Sequence, residues 1–262
     1  MTKGRAKIGI FDSGLGGVTL TREFIELLPS YDIIYLADTA RFPYGNKHAS
    51  SITQYATEAT SFLLNQGATS IVIACNTVCS TALEHLRNLF SVPFFDVIET
   101  VATYALSVSK TKKIGLIATA RTIEADLYSL YTKVPIIGVP CPFLATLVEQ
   151  GCDDTQQIQT LLRNYLSPMK RKIDTLILGC THYLPLLNLI QKEIGDDVTI
   201  VTPSRICAHE IASALSYEQQ SSTAPSRHFF TTSDPSRFEK LAEPLLGQPL
   251  AVALANIEEH HV

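Results

Sequence analysis

The chain has 262 residues, 46% hydrophobic and 18% charged, enough to bury one large domain or two small ones and too apolar for wholesale disorder. A formal charge of −4 gives direct nucleic-acid binding little electrostatic support, and a small anionic ligand would need local groups gathered around it. No apolar run reaches the roughly 18–20 residues of a membrane span, and the short apolar stretch behind the basic start is too brief for a secretory leader, so a cytoplasmic protein is expected.

In chain order, residues 6–11 read as a strand stopped by Asp12-Ser13-Gly14. Leu15-Gly16-Gly17 leads into a helix over 18–28, and residues 33–37 form a second strand. Between 48 and 66 the apolar positions Ile52, Tyr55, Ala59, Phe62 and Leu63 recur every three or four residues, which predicts a helix with Gly67 as its left-handed cap. Residues 70–74 form a third strand that runs into Cys75-Asn76-Thr77 and a helix to about Leu89.

The pattern then begins again. Residues 113–118 (KIGLIA) echo 7–11 (KIGIF), and 174–178, ending in Gly179-Cys180-Thr181-His182, echo 69–74, ending in Cys75-Asn76-Thr77. Strands alternating with helices predict parallel sheets. The expected fold is therefore α/β: two similar, pseudo-symmetric parallel-sheet lobes facing a shared cleft, with one cysteine loop from each. After a helix over 206–215, the polar stretch 218–227 reads as a loop, followed by a strand at 228–232 and a helix at 234–246. This last pair is expected to return to the first lobe, giving lobes of 1–97 plus 206–262 (the Cys75 side) and of 98–205 (the Cys180 side).

Six cysteines in a chain of this length do not argue for disulfides, and no CxxC pair or second ligand pair at zinc spacing supports a metal. Cys141, Cys152 and Cys207 read as small hydrophobes. Cys75 and Cys180 each follow an apolar strand and precede a helix, at the carboxyl edge of a sheet where α/β proteins bind ligands. A helix start offers unpaired N–H groups and partial positive charge, which hold a carboxylate and lower a thiol's pKa. Asn76, Thr77 and Thr181 add short donors suited to carboxylate oxygens.

Two thiols, one per repeat, suit removal of a proton from one face of a carbon and its return to the other, one sulfur as thiolate and its partner as thiol. Buried strand-end hydrophobes are the alternative. Asp12 could hold an ammonium group or assist Cys75, and Ser13 could bind a carboxylate; an Asx turn explains both equally. His182 could promote the Cys180 thiolate or merely cap a helix. By pattern alone Tyr44-Gly45 is a turn, Asp38 a cap and Glu149 a solvated carboxylate. The run Gly14-x-Gly16-Gly17 is not the dinucleotide-binding GxGxxG.

Taken in order, Asp12-Ser13-Gly14-Leu15-Gly16-Gly17, Asp38-Thr39-Ala40-Arg41 with Pro43-Tyr44-Gly45, Ala74-Cys75-Asn76-Thr77 and Gly179-Cys180-Thr181-His182-Tyr183 resemble the loops of the glutamate racemase family, within the wider aspartate/glutamate racemases. The resemblance runs along most of the chain and weakens after about residue 205. It implies a two-thiol racemase without pyridoxal phosphate or metal that supplies D-glutamate for peptidoglycan. By the same resemblance Cys75 and Cys180 move the proton, assisted by Asp12 and His182. Ser13, Tyr44, Gly45, Asn76, Thr77, Thr119, Thr181 and His182 hold the substrate, with Asp38 and Glu149 more loosely attached. An aspartate or hydantoin racemase of the same group is the alternative, as is a mainly binding protein that inhibits gyrase. No residue pattern identifies a gyrase contact or a homodimer interface. Three departures stand out: Leu184 between Tyr183 and Pro185, expected to turn the following helix and shift His182; Val78-Cys79 in place of a small pair; and Ala125 where serine is usual. None removes an expected catalytic group.

Overall fold

Buried strands that run apolar on both faces form parallel sheets covered by helices, and this chain builds two of them. A computed structural model describes residues 6–215 and 224–257; residues 218–223 of the expected polar loop lie outside these. The strands are β1 (Lys7–Asp12), β2 (Asp32–Ala37), β3 (Ser70–Ile73), β4 (Phe94–Asp96), β5 (Ile114–Ala118), β6 (Ile136–Pro140), β7 (Thr175–Gly179), β8 (Thr199–Val201), β9 (Arg227–Thr231) and β10 (Val252–Leu254). One sheet has the order β10-β9-β2-β1-β3-β4 and the other β6-β5-β7-β8, every adjacent pair parallel. All residues of β2, β5 and β7 are buried.

The helices are α1 (Val18–Leu27), α2 (Ala49–Asn65), α3 (Asn76–Leu89), α4 (Ile98–Val108), α5 (Ala120–Ala125), α6 (Leu127–Thr132), α7 (Leu144–Glu149), α8 (Thr155–Leu166), α9 (Leu187–Ile194), α10 (Pro203–Leu215) and α11 (Pro235–Leu246). Gly67 takes φ +91° just beyond α2, the left-handed stop its position predicts. Asp234 caps α11 by accepting from the Arg237 amide at 3.1 Å, with Pro235 in the first turn. The helix after Cys180 begins as a 3-10 segment, Thr181–Leu186, which contains Leu184 and Pro185 before α9 takes over. Proline cannot donate to an α-helical ladder, so the tighter turn falls where that residue sits.

Register brings the loops together. Asp12 pairs with Ala37, and Phe11 with Ile73, so the loops after β1, β2 and β3 emerge side by side. Ala118 pairs with Gly179, which places Thr119 beside Cys180. In both sheets the central strand has its successors on opposite sides, and the crevice at such a reversal is where open α/β sheets bind ligands. One apolar core fills the first sheet and continues through α4 and α6 onto the second, where it takes in Ile114, Leu116 and Ile177. A separate core, including Leu144, Leu162 and Ile190, covers the other side of the second sheet.

β9 joins β2, with Tyr35 paired to Phe229 and their rings 6.0 Å apart. Phe229 is buried, so Phe229→Ala removes a ring without room for the core to collapse. The expected loss is about 3–5 kcal/mol, read as a lower urea midpoint with the denaturant slope unchanged.

Candidate active site

Cys75 occupies the cap position of α3, immediately after β3, and Cys180 precedes the 3-10 segment after β7. Both sulfurs line one cleft, along with Ser13, Tyr44, Gly45, Asn76, Thr77, Thr119, Thr181 and His182. The cleft is closed down to a cavity of about 20 Å³, room for roughly one water. Asp12, Asp38 and Glu149 stand behind this lining rather than in it.

The two thiols have different company. Cys75 Sγ lies 3.5 Å from Ser13 Oγ. Burial, reinforced by the negative charge of Asp12, pushes its thiol up to about 12. The helix start was expected to promote the thiolate here; in this enclosed position desolvation outweighs it. Cys180 Sγ lies 3.9 Å from His182 Nδ1, and His182 Nε2 is 2.7 Å from Glu149 Oε2. Burial opposes a charge on His182, but the Cys180 sulfur and the Glu149 carboxylate prevail and hold the imidazole protonated well above its ordinary range. Glu149 also accepts from the Leu15 amide at 2.9 Å, so it is an engaged, mostly buried carboxylate and not the solvated one its position suggests.

Asp12 accepts from the Gly14 amide at 3.0 Å and, across the cleft, from the Thr181 hydroxyl at 3.1 Å. Its hydrogen bonds thus reach the Cys180 loop, and it acts on Cys75 through charge. The approach is close enough that a Cβ on Gly16 would lie 2.1 Å from Thr181 Oγ1, which explains glycine at that point of the opening loop. Thr77 and Thr119 hydroxyls meet at 2.9 Å across the same gap.

Residues 8–211 match the family model for Asp/Glu/Hydantoin racemase. The chain belongs to this family. A glutamate racemase from Sulfurihydrogenibium is 41% identical over 248 residues, covering 92% of this chain and 94% of the relative. The solved glutamate racemase isoform RacE1 from Bacillus anthracis superposes with a TM-score of 0.89 at 36% identity, covering 96% and 97% of the two chains. A glutamate racemase from Francisella tularensis, solved in complex with D-glutamate, does so with 0.89 at 30% identity, covering 98% and 99%. Family and fold are those the motifs predict.

Several residues at the site were given no role by the motif reading. Phe42 and Pro43 line the cleft, and the Phe42 ring lies 5.1 Å from that of His182. Behind them Asp38 is saturated: it accepts from Arg41 Nε at 2.6 Å, from Thr232 at 2.7 Å and from the Tyr44 hydroxyl. Arg41 also pairs with Glu58 and stacks 4.0 Å over the Tyr55 ring. Asp38 therefore braces the loop that presents Tyr44 and Gly45. Ala145 and Gly179 add apolar wall, and Tyr128 donates to Asn76 Oδ1 at 2.6 Å. Pro43 and Gly179 lie within the quoted motifs but carried no assigned role, and only adjacency to a motif could have flagged Phe42; Tyr128 and Ala145 come from elsewhere in the chain. Among the described residues, no group of three or more His, Cys, Asp and Glu is placed to hold a metal. Cys141 and Cys207 are buried and Cys152 half-buried, as small hydrophobes should be.

Burial raises Asp12 from 3.8 to about 6, against the pull of His182 and its two hydrogen bonds. The folded chain therefore binds this proton more tightly than the unfolded chain, so the group's contribution to stability is greatest below about pH 4 and declines as pH rises to about 6. Asp12→Asn is expected to remove that slope. Its urea midpoint should gain on the wild type between about pH 4 and 6 and run parallel above; a constant offset throughout would contradict the assignment.

Proposed function

We propose that this chain is a glutamate racemase that interconverts L- and D-glutamate by two-thiol proton transfer without a cofactor and supplies D-glutamate for peptidoglycan. The observation that carries the reading is two thiols, one from each sheet, meeting at one cleft with unlike neighbours, Ser13 and Asp12 beside Cys75 and His182 beside Cys180. A racemase acting on both faces of a carbon needs one group to take a proton while the other holds one. The glutamate racemase names of the relatives, and the D-glutamate in the Francisella complex, support glutamate over the aspartate or hydantoin alternative. The lobes we assign are residues 1–97 with 206–262, and 98–205; β9 and β10 pairing onto the first sheet support the return.

In one direction Cys180, as thiolate beside protonated His182, takes the α-proton and becomes a thiol. The electron pair of the broken C–H bond spreads into the α-carboxylate. Donors at the two helix starts, with the Ser13, Thr77 and Thr181 side chains, are positioned to stabilise that charge, while the Asn76 amide holds the substrate equally in both states. The Cys75 S–H then gives its proton to the opposite face and is left as thiolate. In the reverse direction Cys75 is the base; passing its proton to the Asp12 carboxylate neutralises the charge that otherwise opposes the thiolate. Tyr44 and Gly45 close the substrate in, Thr119 adds a hydroxyl, and Glu149 holds His182 in place.

The test is proton NMR of L- and of D-glutamate in deuterium oxide with no cofactor added. The intact chain should exchange and invert the α-position of both. Cys75→Ala and Cys180→Ala should each lose racemisation by about 10²–10⁴-fold or more. Inversion surviving in either folded variant would sink the two-thiol mechanism, and inversion of aspartate in place of glutamate would move the substrate assignment.

A further inference from the structure

Asn76 Nδ2 is buried in the wall of the cleft and has no hydrogen-bond partner among the described residues. A buried amide hydrogen left unpaired is costly, and native proteins retain few of them. The other end of the same amide is fully engaged, because Oδ1 accepts from the Tyr128 hydroxyl at 2.6 Å. A side-chain amide has one accepting and one donating end. With the accepting end taken, the donating end is the one left over. Turning the amide around would bring Nδ2 to the phenol and deprive the phenolic hydrogen of this acceptor.

Tyr128 is well fixed for such a task. Its side chain is 1% exposed, and α6, which carries it, is bounded by left-handed residues, Asp126 at φ +51° and Lys133 at φ +56°. The Thr132 hydroxyl donates back to the Tyr128 carbonyl at 2.8 Å. Asn76 begins α3, directly after Cys75, whereas Tyr128 follows the strand that leads to Thr119. The bond therefore runs between the segment that carries Cys75 and the one that carries Cys180.

We propose that Tyr128 is a positioning residue for the racemase reaction: its hydroxyl fixes the Asn76 amide so that Nδ2 donates to a substrate oxygen in the cleft. The assignment rests on the racemase reading and deepens it. The bond can form only while α3 and α6 are together, so Asn76 is set for substrate in the closed cleft and released when it opens. Contact with a bound carboxylate is made in ground state and transition state alike, so its loss falls on KM and leaves kcat nearly intact.

The experiment compares KM and kcat for L- and D-glutamate, at a temperature well below each variant's Tm, in wild type, Tyr128→Phe, Asn76→Ala, Asn76→Asp and the Tyr128→Phe/Asn76→Ala double variant. Tyr128→Phe should raise KM about tenfold, the weight of one hydrogen bond to a charged group, with kcat within about twofold. Asn76→Asp keeps an acceptor for Tyr128 but replaces the donor by oxygen, and should raise KM at least as much. The double variant should have a KM no higher than Asn76→Ala alone, since both changes remove one interaction. A merely structural bond would lower Tm and leave KM unmoved. A wild-type KM in Tyr128→Phe, or multiplying effects in the double variant, would overturn the proposal. Should Tyr128→Phe not fold, Asn76→Asp decides, and a wild-type KM there is equally fatal. An intact chain inert toward glutamate would overturn the functional reading itself.

Discussion

One carboxylate holds the two halves of the site in register. Glu149 accepts from the Leu15 amide in the loop after β1 and from His182 in the loop after β7. Leu15 belongs to the glycine-rich turn that follows Asp12 and Ser13, and His182 is the neighbour of the Cys180 sulfur. Fixing these two loops on one acceptor sets the approach at which Asp12 reaches Thr181 and Gly16 fits beneath the same threonine. Charged partners in a low-dielectric setting make this acceptor stronger than an equivalent surface pair.

The same enclosure gives two chemically identical thiols different neighbours. Each sits between a strand and a helical turn, and the helix-start argument treats them alike. Cys75 faces Ser13 and the field of Asp12, and burial keeps its proton on. Cys180 faces a histidine that is itself held protonated. The asymmetry arises from each thiol's neighbours on its own half, Ser13 and Asp12 beside Cys75 and His182 with Glu149 beside Cys180, so a pseudo-symmetric fold presents a non-symmetric pair.

The central strands were legible because burial on both faces leaves largely apolar runs: β1, β2, β3, β5 and β7 all follow such stretches, whereas β9 is only partly buried and was marked by its aromatic pair. β4, β8 and β10 are three residues each, and β6 is an edge strand with exposed positions, so none carries a distinctive pattern. The cysteine loops were readable for the same reason as the strands that end in them. Glu149 looked like surface because its helix ends at an exposed glutamine and glycine, while its burial comes from Leu15 and His182, distant in sequence. Tyr128 had no signal at all, since α6 is too short for periodicity and its partner is a tertiary one. Desolvation of Cys75 is likewise a property of the assembled cleft.

The cavity between the thiols is smaller than an amino acid. Substrate entry and product exit therefore require the cleft to widen, and Thr181–Asp12, Thr77–Thr119 and Asn76–Tyr128 are hydrogen bonds that join its two sides. The hydrogen bonds that shape the cleft are thus also bonds that resist its widening. Strengthening them would sharpen the alignment of the sulfurs while lengthening the time a product stays trapped, and loosening them would quicken traffic at the expense of alignment. That compromise rests on a few hydroxyl contacts, two between neutral partners and one to the Asp12 carboxylate, each weak beside the core that carries them.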